Sequence, residues 1–166
     1  MALGFLDLYD CNLQLWHQDS VAQSPGYALF DSGKYVFGEA ARATARLRPR
    51  DVSTRYWWQL NTEPLQPSLG PARHTGDIAH AQLVDLHHQS MKADEILLAV
   101  PGSMQKEQLS LLLGIVAQCP FKAVGMVNRS VALGSLHSCG EDLWHFEVQL
   151  HQILLTQLKN TDDRVH

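Results

Sequence analysis

The chain of 166 residues has 45% hydrophobic and 18% charged residues, a balance that is typical of one compact domain and excludes a disordered tail or a fibrous repeat. Seventeen acidic residues against thirteen basic ones give a formal net charge of -4 with histidine neutral. No global positive field therefore attracts the chain to phosphate backbones or anionic lipid, which disfavours a dedicated nucleic-acid binder.

The cysteines and the amino terminus indicate a reducing compartment. Cys11, Cys119 and Cys139 are odd in number, widely spaced and without a C-x-x-C pair, so neither a disulfide framework nor a structural zinc site is indicated. The amino terminus lacks the basic segment and long apolar core of a signal peptide. No apolar run approaches the ~20 residues that span a bilayer. We expect a cytoplasmic protein with no membrane span.

The first third of the chain has the pattern of two antiparallel hairpins. In each hairpin, two short apolar-rich segments flank a turn that contains Asp, Asn or Gly, residues that tolerate turn backbones. The segments are Phe5–Tyr9 and Leu13–Trp16 around Asp10–Asn12, then Tyr27–Phe30 and Lys34–Phe37 around Asp31–Gly33.

An alanine-rich segment follows, and its composition predicts a short helix from Gly38 to Leu47 that Pro49 ends. Four arginines give this region a basic side: Arg42, Arg46, Arg48 and Arg50. Such a run can hold an acidic partner or a phosphate, although it is more often the exposed side of a helix.

The second part of the chain alternates helix and strand after a Pro/Gly-rich segment, residues 61–76, which predicts a loop. The predicted elements are a helix from Asp77 to about Met91, a strand at Ile96–Val100, a helix with an apolar stripe at Leu109, Leu112, Leu113 and Val116, and a strand at Ala123–Val127. The unbroken apolar run of the first strand predicts burial on both faces. This order is the one that parallel β-α-β packing requires. In Leu143–Leu158 the pattern does not separate strand, turn and helix.

Two strand hairpins followed by β-α-β, with an acidic residue on the first strand, resemble the ribonuclease-H-like plan that nucleases share with the actin, sugar-kinase and heat-shock chaperone ATPases. Four passages are similar to motifs of the seventy-kilodalton heat-shock proteins and occur in that family's order. They are Leu6–Leu8 with Asn12 ("D-L-G-T-T-N-S"), Ser24–Phe30 with Phe37–Ala41 ("P-S-x-V … V-G-x-A-A"), Ile96–Gly102 ("V-I-T-V-P-A") and Ala123–Ala132 ("I-N-E-P-T-A-A-A"). The resemblance covers residues 5 to 158 and only the first of the family's two lobes.

The resemblance implies an α/β, ribonuclease-H-like lobe of the actin-like ATPase type. A mixed sheet of antiparallel hairpins would lead into β-α-β, with helices packed on the sheet. Residues 1–166 would form a single domain, either a fragment of a longer protein or a lobe that stands alone. The first hairpin would be the phosphate-binding hairpin, with Asp7, Asp10, Cys11 and Asn12 as the nucleotide contacts and Asp7 as the candidate catalytic and metal-binding residue.

The residues of that hairpin depart from the family's pattern. Glycine and threonine occupy the family's hairpin because backbone amides must approach the phosphates closely. Here Tyr9, Asp10 and Cys11 stand there, which adds a bulky ring and a second negative charge. Two like charges within ~4 Å repel by about 1 to 4 kcal/mol, depending on the local dielectric. We therefore expect that this hairpin does not bind phosphate.

Three further departures indicate that hydrolysis is lost. Arg129 replaces the family's glutamate after the Asn, no lysine stands near Tyr56–Gln59, and the second phosphate loop, which would fall within Leu143–Leu150, has no glycine. Asp7 alone does not usually organise Mg²⁺. The best interpretation is a degenerate, non-hydrolysing scaffold or protein-interaction module with no cofactor.

Two alternatives remain open. The chain can be the ATP-binding lobe of a functional ATPase, with ATP and Mg²⁺ as cofactors and the remaining contacts supplied by a second lobe. It can also be a metal-dependent nuclease in which Asp7 and Asp10 are joined by Glu141, Asp142 or Glu147 in a two-metal site. The net charge and the missing basic face argue against a polynucleotide substrate.

Partners follow from the missing half of the fold. One lobe of a two-lobed protein leaves apolar area uncovered, so we expect a protein partner or self-association through the surface that the second lobe would cover. We expect no nucleic-acid partner.

The sequence has two further local features, a group of histidines and a pair of tryptophans. His80, His87 and His88 share a predicted helix, but their spacing covers two turns, too far for one zinc ion, so we expect a solvated polar face. Trp57 and Trp58 are adjacent, and in a strand they would point to opposite faces. One ring would then lie in the core and the other on a loop or a partner.

Overall fold

The structure is a computed structural model that describes residues 3–90, 92–136, 142–161 and 164–165. Within these residues the fold is α/β, with a five-stranded mixed sheet, three smaller sheets and four helices. The strands are β1 (Gly4–Asp7), β2 (Leu13–His17), β3 (Ser20–Ser24), β4 (Ala28–Asp31), β5 (Lys34–Phe37), β6 (Val52–Ser53), β7 (Glu95–Val100), β8 (Lys122–Asn128), β9 (Leu143–Val148), β10 (Ile153–Leu158), β11 (Asn160–Thr161) and β12 (Arg164–Val165). The helices are α1 (Gly38–Thr44), α2 (Thr75–Gln89), α3 (Lys106–Val116) and α4 (Arg129–Gly134).

The five-stranded sheet has the order β3-β2-β1-β7-β8. β2 is antiparallel to both β1 and β3, whereas β1, β7 and β8 are parallel to one another. β1 is therefore the central strand, and Leu6 lies between Leu15 of β2 and Leu98 of β7. The carboxyl ends of three parallel strands meet at one edge, where the polar residues Asp7 and Asn128 stand.

The core lies between this sheet and helices α2 and α3, which contact each other. Alternate residues of the strands point to it because successive side chains of a strand face opposite ways. The largest fully buried side chains are Tyr56, Leu6, Leu13, Leu15, Ile78, Leu83, Leu86, Ile96, Leu98, Leu112, Gln82 and Val116. Burial of each leucine or isoleucine contributes about 1.5 to 3 kcal/mol.

The second hairpin, β4–β5, belongs to a separate three-stranded sheet with the order β5-β4-β6. Gly33 adopts a φ of 83° in its turn, a conformation that favours glycine. Both hairpins predicted in the first third are confirmed, but they are not in one sheet.

The hairpin β9–β10 forms a two-stranded sheet of its own. Its residues alternate in burial along both strands. One face, with Glu147 and Leu158, packs against the rest of the chain. The other face carries five exposed large apolar side chains: Trp144, Phe146, Val148, Ile153 and Leu155. We call this the apolar hairpin face.

Several elements differ from the sequence-based expectations. β3 and α4 were not predicted, because a polar edge strand and a helix of under two turns carry little periodic signal. Residues 61–74 form the predicted loop, but α2 begins at Thr75, so the last two residues of 61–76 are helical. Trp57 and Trp58 lie in a turn, not in a strand. Met91, Cys139 and Glu141 lie outside the described residues.

Candidate functional site

The candidate site is the turn between β1 and β2, where the sequence places the degenerate phosphate contacts. The amide of Asn12 donates to the carbonyl of Tyr9 at 2.8 Å, which closes the turn. Asn12 Nδ2 donates to Gln23 Oε1 at 3.1 Å, so this side chain supports the neighbouring strand. Asp7 ends β1, and Asp10 lies at the turn with only 4% of its surface exposed. The structure therefore brings Asp7, Asp10, Cys11 and Asn12 together.

The turn between β9 and β10 packs directly against this first turn. Tyr9 Oη donates to the carbonyl of Val148, and Cys11 Sγ lies 3.5 Å from the same oxygen. The amide of Leu150 donates to Asp10 Oδ1 at 3.0 Å. These contacts pair Tyr9 Oη and Asp10 Oδ1 with backbone groups of the second turn, so the two turns pack directly on each other.

Arg129 joins the two hairpins through an ion-pair triad. Its Nε lies 2.8 Å from Asp7 Oδ1, and its Nη1 lies 2.8 Å from Glu147 Oε2. The Arg129, Asp7 and Glu147 side chains are 15%, 18% and 2% exposed. Arg129 is the first residue of α4, whose start is fixed by Asn128 Oδ1 accepting from the amides of Ser130 and Val131. The end of β8 therefore positions this guanidinium.

The guanidinium also covers the first turn. Its central carbon lies 4.4 Å from the centre of the Tyr9 ring, a favourable cation–π distance. Gln149 Nε2 donates to the other oxygen of Glu147, and Gln152 Nε2 donates to Ser103 Oγ at 2.8 Å. The space between the hairpins is thus filled by a ring, a guanidinium and a chain of amides.

Burial and charge set the protonation of the site. Burial raises the pKa of Asp7, and the hydrogen bond and charge of Arg129 only partly offset this. Burial also raises the pKa of Asp10, against the donation from the Leu150 amide. Burial lowers the pKa of Arg129, but its contacts with Asp7 and Glu147 outweigh burial and raise it overall. Arg129 therefore remains charged and supplies the local positive charge of the site.

The site has no activated nucleophile among these residues. Burial raises the pKa of the Cys11 thiol above its usual value, and burial raises the pKa of Tyr9 to about 12. Both groups are therefore protonated near neutral pH, whereas a cysteine nucleophile needs its thiolate form. The arrangement binds two loops together and does not prepare a group for attack.

The residues suggested for a two-metal site are only partly brought together. Asp7 and Glu147 share Arg129, so a cation already compensates their charge. Asp142 accepts from Gln157 Nε2 at 2.7 Å at the start of β9, at the opposite end of that strand from Glu147. In the described part of the chain, no group of three or more His, Cys, Asp or Glu side chains is arranged to hold a metal ion.

A cavity of about 280 Å³ opens beside the turn. Asp10, Trp58 and the amides of Gln108 and Gln152 line it. Gln108 Nε2 donates to the Trp58 carbonyl at 3.1 Å, and Gln152 is bonded to Ser103 as described above. Most of the polar wall is therefore already paired within the protein.

The two tryptophans divide between core and surface, as one of the two interpretations expects. Trp57 is 5% exposed and its Nε1 donates to Gln82 Oε1 at 2.7 Å. Trp58 is 39% exposed and stacks on the His151 ring, with 5.7 Å between ring centres. Trp58 thus packs on the β9–β10 turn.

Gln82 is the residue that sequence reasoning missed. It is fully buried in α2, where its Oε1 accepts from Tyr56 Oη at 2.6 Å as well as from Trp57. Its Nε2 donates to Ser24 Oγ at 2.8 Å and to the Pro25 carbonyl at 3.0 Å. In the sequence Gln82 is visible only as a polar residue next to Leu83 on the face of α2 that carries Ile78, Ala79 and Leu86. Gln82 fixes the segment that leads from β3 into the second hairpin.

The histidines of α2 are not one solvated face. His87 is 4% exposed, its Nε2 is bonded to the Ala93 carbonyl at 3.0 Å, and its ring packs on Phe121. That expectation was wrong for His87, because α2 turns this residue towards the end of the core. His80 Nε2 contacts the carbonyl of Gln118 at 3.3 Å. These two side chains have structural roles.

Comparison with known proteins assigns no family. No protein-family model matches this chain, and no curated protein matches it significantly. In the described residues, no helix has both the length and the apolar character required to cross a membrane.

Proposed function

We propose that this chain is a ribonuclease-H-like lobe of the actin-like ATPase type whose first hairpin no longer binds the phosphates of a nucleotide, and that it acts as a protein-interaction domain. The order of the five-stranded sheet supports the fold, because β2 alone runs against the other four strands. The acidic residue at the end of the central strand supports it too, since Asp7 stands beside the ends of β7 and β8.

The observation that carries the loss of phosphate binding is the position of Arg129. It pairs with Asp7 of the first hairpin and Glu147 of the second, and its guanidinium covers Tyr9. A nucleotide tail would have to displace this guanidinium and expose two partly or fully buried carboxylates to its own negative charge. Breaking a buried ion pair costs about 3 to 5 kcal/mol, and phosphate repulsion adds to that cost.

The apolar hairpin face supports an interaction role. Its side chains are between 49% and 64% exposed, which is unusual for large apolar residues clustered on one surface. Gln157 is its sixth outward position, opposite Trp144, so the face carries no charge. Two copies of an uncharged face bring no like charges together, and alternate side chains of facing sheets interdigitate. We propose a second copy of this chain as the occupant.

Titration of the chain with ATP and Mg²⁺ tests the loss of phosphate binding. In isothermal calorimetry we expect no saturable binding of ATP with a dissociation constant below about 1 μM. In a phosphate-release assay we expect no ATP turnover. Binding tighter than micromolar with turnover would establish the ATPase alternative and overturn the proposal. Cleavage of RNA or DNA with Mg²⁺ or Mn²⁺ that is lost in Asp7→Asn would establish the nuclease alternative instead.

Light scattering coupled to gel filtration tests the interaction role. We expect a dimer, and we expect Phe146→Asp to shift the population to monomer because Phe146 lies at the centre of the face, opposite Leu155. Leu47→Asp is the matched control, since Leu47 is 86% exposed but lies outside the apolar hairpin face. A monomeric wild-type chain, or equal effects of both substitutions, would contradict self-association through this face.

A further inference from the structure

A second cavity, of about 480 Å³, lies between residues 49–56 and the loop at residues 65–69. Gln59 and Thr75 complete its wall. It shares no lining residue with the cavity beside Asp10. Its volume falls within the range of about 300 to 1,000 Å³ that is usual for small-molecule sites.

The charged residues that line this cavity are all positive. Arg50 and Arg55 line it, and no Asp or Glu does. Glu63 borders an adjoining depression. Of the arginine run found in the sequence, Arg42 pairs with Glu39, and Arg48 pairs with Asp31 and Asp51. None of the ion pairs formed within the described residues includes Arg50 or Arg55. The cavity therefore holds two positive charges without a protein counter-charge.

Four further polar side chains of the wall have no hydrogen-bond partner in the described part of the protein. Among the described residues, the side chains of Ser53, Ser68, Gln59 and Gln66 make no hydrogen bond, although all four line the cavity. They provide hydroxyl and amide groups that donate and accept. The apolar part of the wall is formed by Val52, Leu65 and Leu69.

The frame around these free groups is held firmly. Tyr35 Oη donates to the Leu69 carbonyl at 2.8 Å and accepts from the Ala72 amide at 3.0 Å. Thr75 Oγ1 donates to the Gln59 carbonyl at 2.9 Å, and Thr54 Oγ1 lies 3.0 Å from His151 Nε2. A ligand would therefore order few backbone segments on binding, which lowers the entropic cost of association.

We propose that this cavity binds a small organic anion. Its phosphate or carboxylate group pairs with the guanidinium groups of Arg50 and Arg55, which suit planar and bidentate recognition of both anions. Hydroxyl groups on its carbon skeleton bond to the serine and glutamine side chains, while the skeleton lies against Val52, Leu65 and Leu69. The proposal does not depend on the proposed function, because the cavity is separate from the Arg129 triad and from the apolar hairpin face.

The experiment measures binding of three probes to the full chain: citrate, glucose 6-phosphate and, as the uncharged control, glucose. Isothermal calorimetry and thermal shift at low salt and at about 0.15 M ionic strength give the affinities. We expect at least one anion to bind with 1:1 stoichiometry at both salt concentrations, and glucose to bind more weakly by at least about tenfold, because hydrogen bonds to charged groups are the stronger ones.

Matched variants locate the binding. Arg50→Gln and Arg55→Gln should each lower the affinity for the anion by at least about tenfold. Arg46→Gln is the control, because Arg46 belongs to the same run of arginines but does not line the cavity. It should change the affinity by less than about twofold. Ser68→Trp narrows the cavity without a change in charge and should also abolish binding. No binding of any anion would overturn the proposal. Equal losses from Arg46→Gln and Arg50→Gln would overturn it as well, since they indicate general surface attraction.

Discussion

Arg129 Nε lies 2.8 Å from Asp7 Oδ1, and this contact joins the end of the central strand to the first turn of α4. The same guanidinium reaches Glu147 in a different sheet. One side chain thus connects the five-stranded sheet with the β9–β10 hairpin, and it stands where the resemblance implies a glutamate. Arg129 thereby compensates the negative charge of both carboxylates.

Replacement of this arginine should be costly. Arg129→Met leaves Asp7 and Glu147 without their counter-charge, so we expect the free energy of unfolding at pH 7 to fall by about 2 to 4 kcal/mol. Urea denaturation followed by circular dichroism measures it. The control is Arg42→Met, whose ion pair with Glu39 is 57% and 71% exposed and contributes about 0 to 1 kcal/mol. Similar losses in both variants would mean that the triad does not hold the hairpins together.

Gln82 should be the most sensitive polar position of α2. Gln82→Leu leaves the donors of Tyr56 and Trp57 without an acceptor in the core, and each buried unsatisfied group costs about 1 to 3 kcal/mol. We expect a loss of at least about 3 kcal/mol in urea denaturation. Gln89→Leu, on the exposed end of the same helix, should stay within about 0.5 kcal/mol of the wild type. If Gln82→Leu lowers the free energy of unfolding no more than Gln89→Leu does, the prediction is wrong and the core rearranges to satisfy Tyr56 and Trp57.

Replacement of Gly70 and of Gly33 by alanine distinguishes steric overlap of the added Cβ from backbone strain. Both have positive φ, 58° and 83°, so alanine strains the backbone at both. A Cβ at Gly70 would lie 2.4 Å from Phe30 Cδ2, whereas a Cβ at Gly33 meets nothing within 4 Å. We therefore expect Gly70→Ala to lower the melting temperature more than Gly33→Ala, with an extra loss of about 1 to 3 kcal/mol from overpacking. Equal melting temperatures would indicate that the Phe30 ring moves aside freely.

The buried carboxyl of Asp10 should make stability depend on pH. Because burial raises its pKa in the folded chain, the folded state holds the proton more tightly than the unfolded state, and the wild type loses stability as pH rises above the ordinary value of 3.8. Asp10→Asn keeps an acceptor for the Leu150 amide but cannot ionise.

The advantage of Asp10→Asn over the wild type should therefore be smallest below pH 3.8 and should grow as pH rises from there to neutrality. Urea denaturation of both chains across this range measures the difference. Asp51→Asn, at an exposed ion pair with Arg48, is the control. A difference between Asp10→Asn and wild type that shrinks with rising pH would contradict a raised pKa.

The local signals of the sequence were sufficient for most of the fold. The apolar segments around Asp10–Asn12 and Asp31–Gly33 predict both hairpins, and the run Ile96–Val100 predicts the buried strand β7. These patterns depend on neighbouring residues only, so they can be recognised without knowledge of tertiary contacts. The separation of the hairpins into two sheets was not predicted, because sheet membership depends on contacts between distant residues.

The site was predictable only in part for the same reason. Adjacent residues such as Tyr9 and Asp10 identify the turn from the sequence alone. The link from Asp7 to Arg129 spans most of the chain, and Arg129 is visible in the sequence only as a departure from a motif. No motif in the sequence indicates the cavity at Arg55, since most of its wall comes from loop residues, which have no periodic pattern.

The central position of β1 also bears on the order in which the chain assembles. β1 pairs with β2 through a tight turn, but its other neighbour, β7, follows only after residues 8–94. Closing so long a stretch of chain is slow relative to forming a hairpin. Until β7 pairs with β1, one edge of β1 has unpaired backbone amides and carbonyls that can pair with another strand. We therefore expect that the growing chain can mispair at this strand edge until β7 has been synthesised.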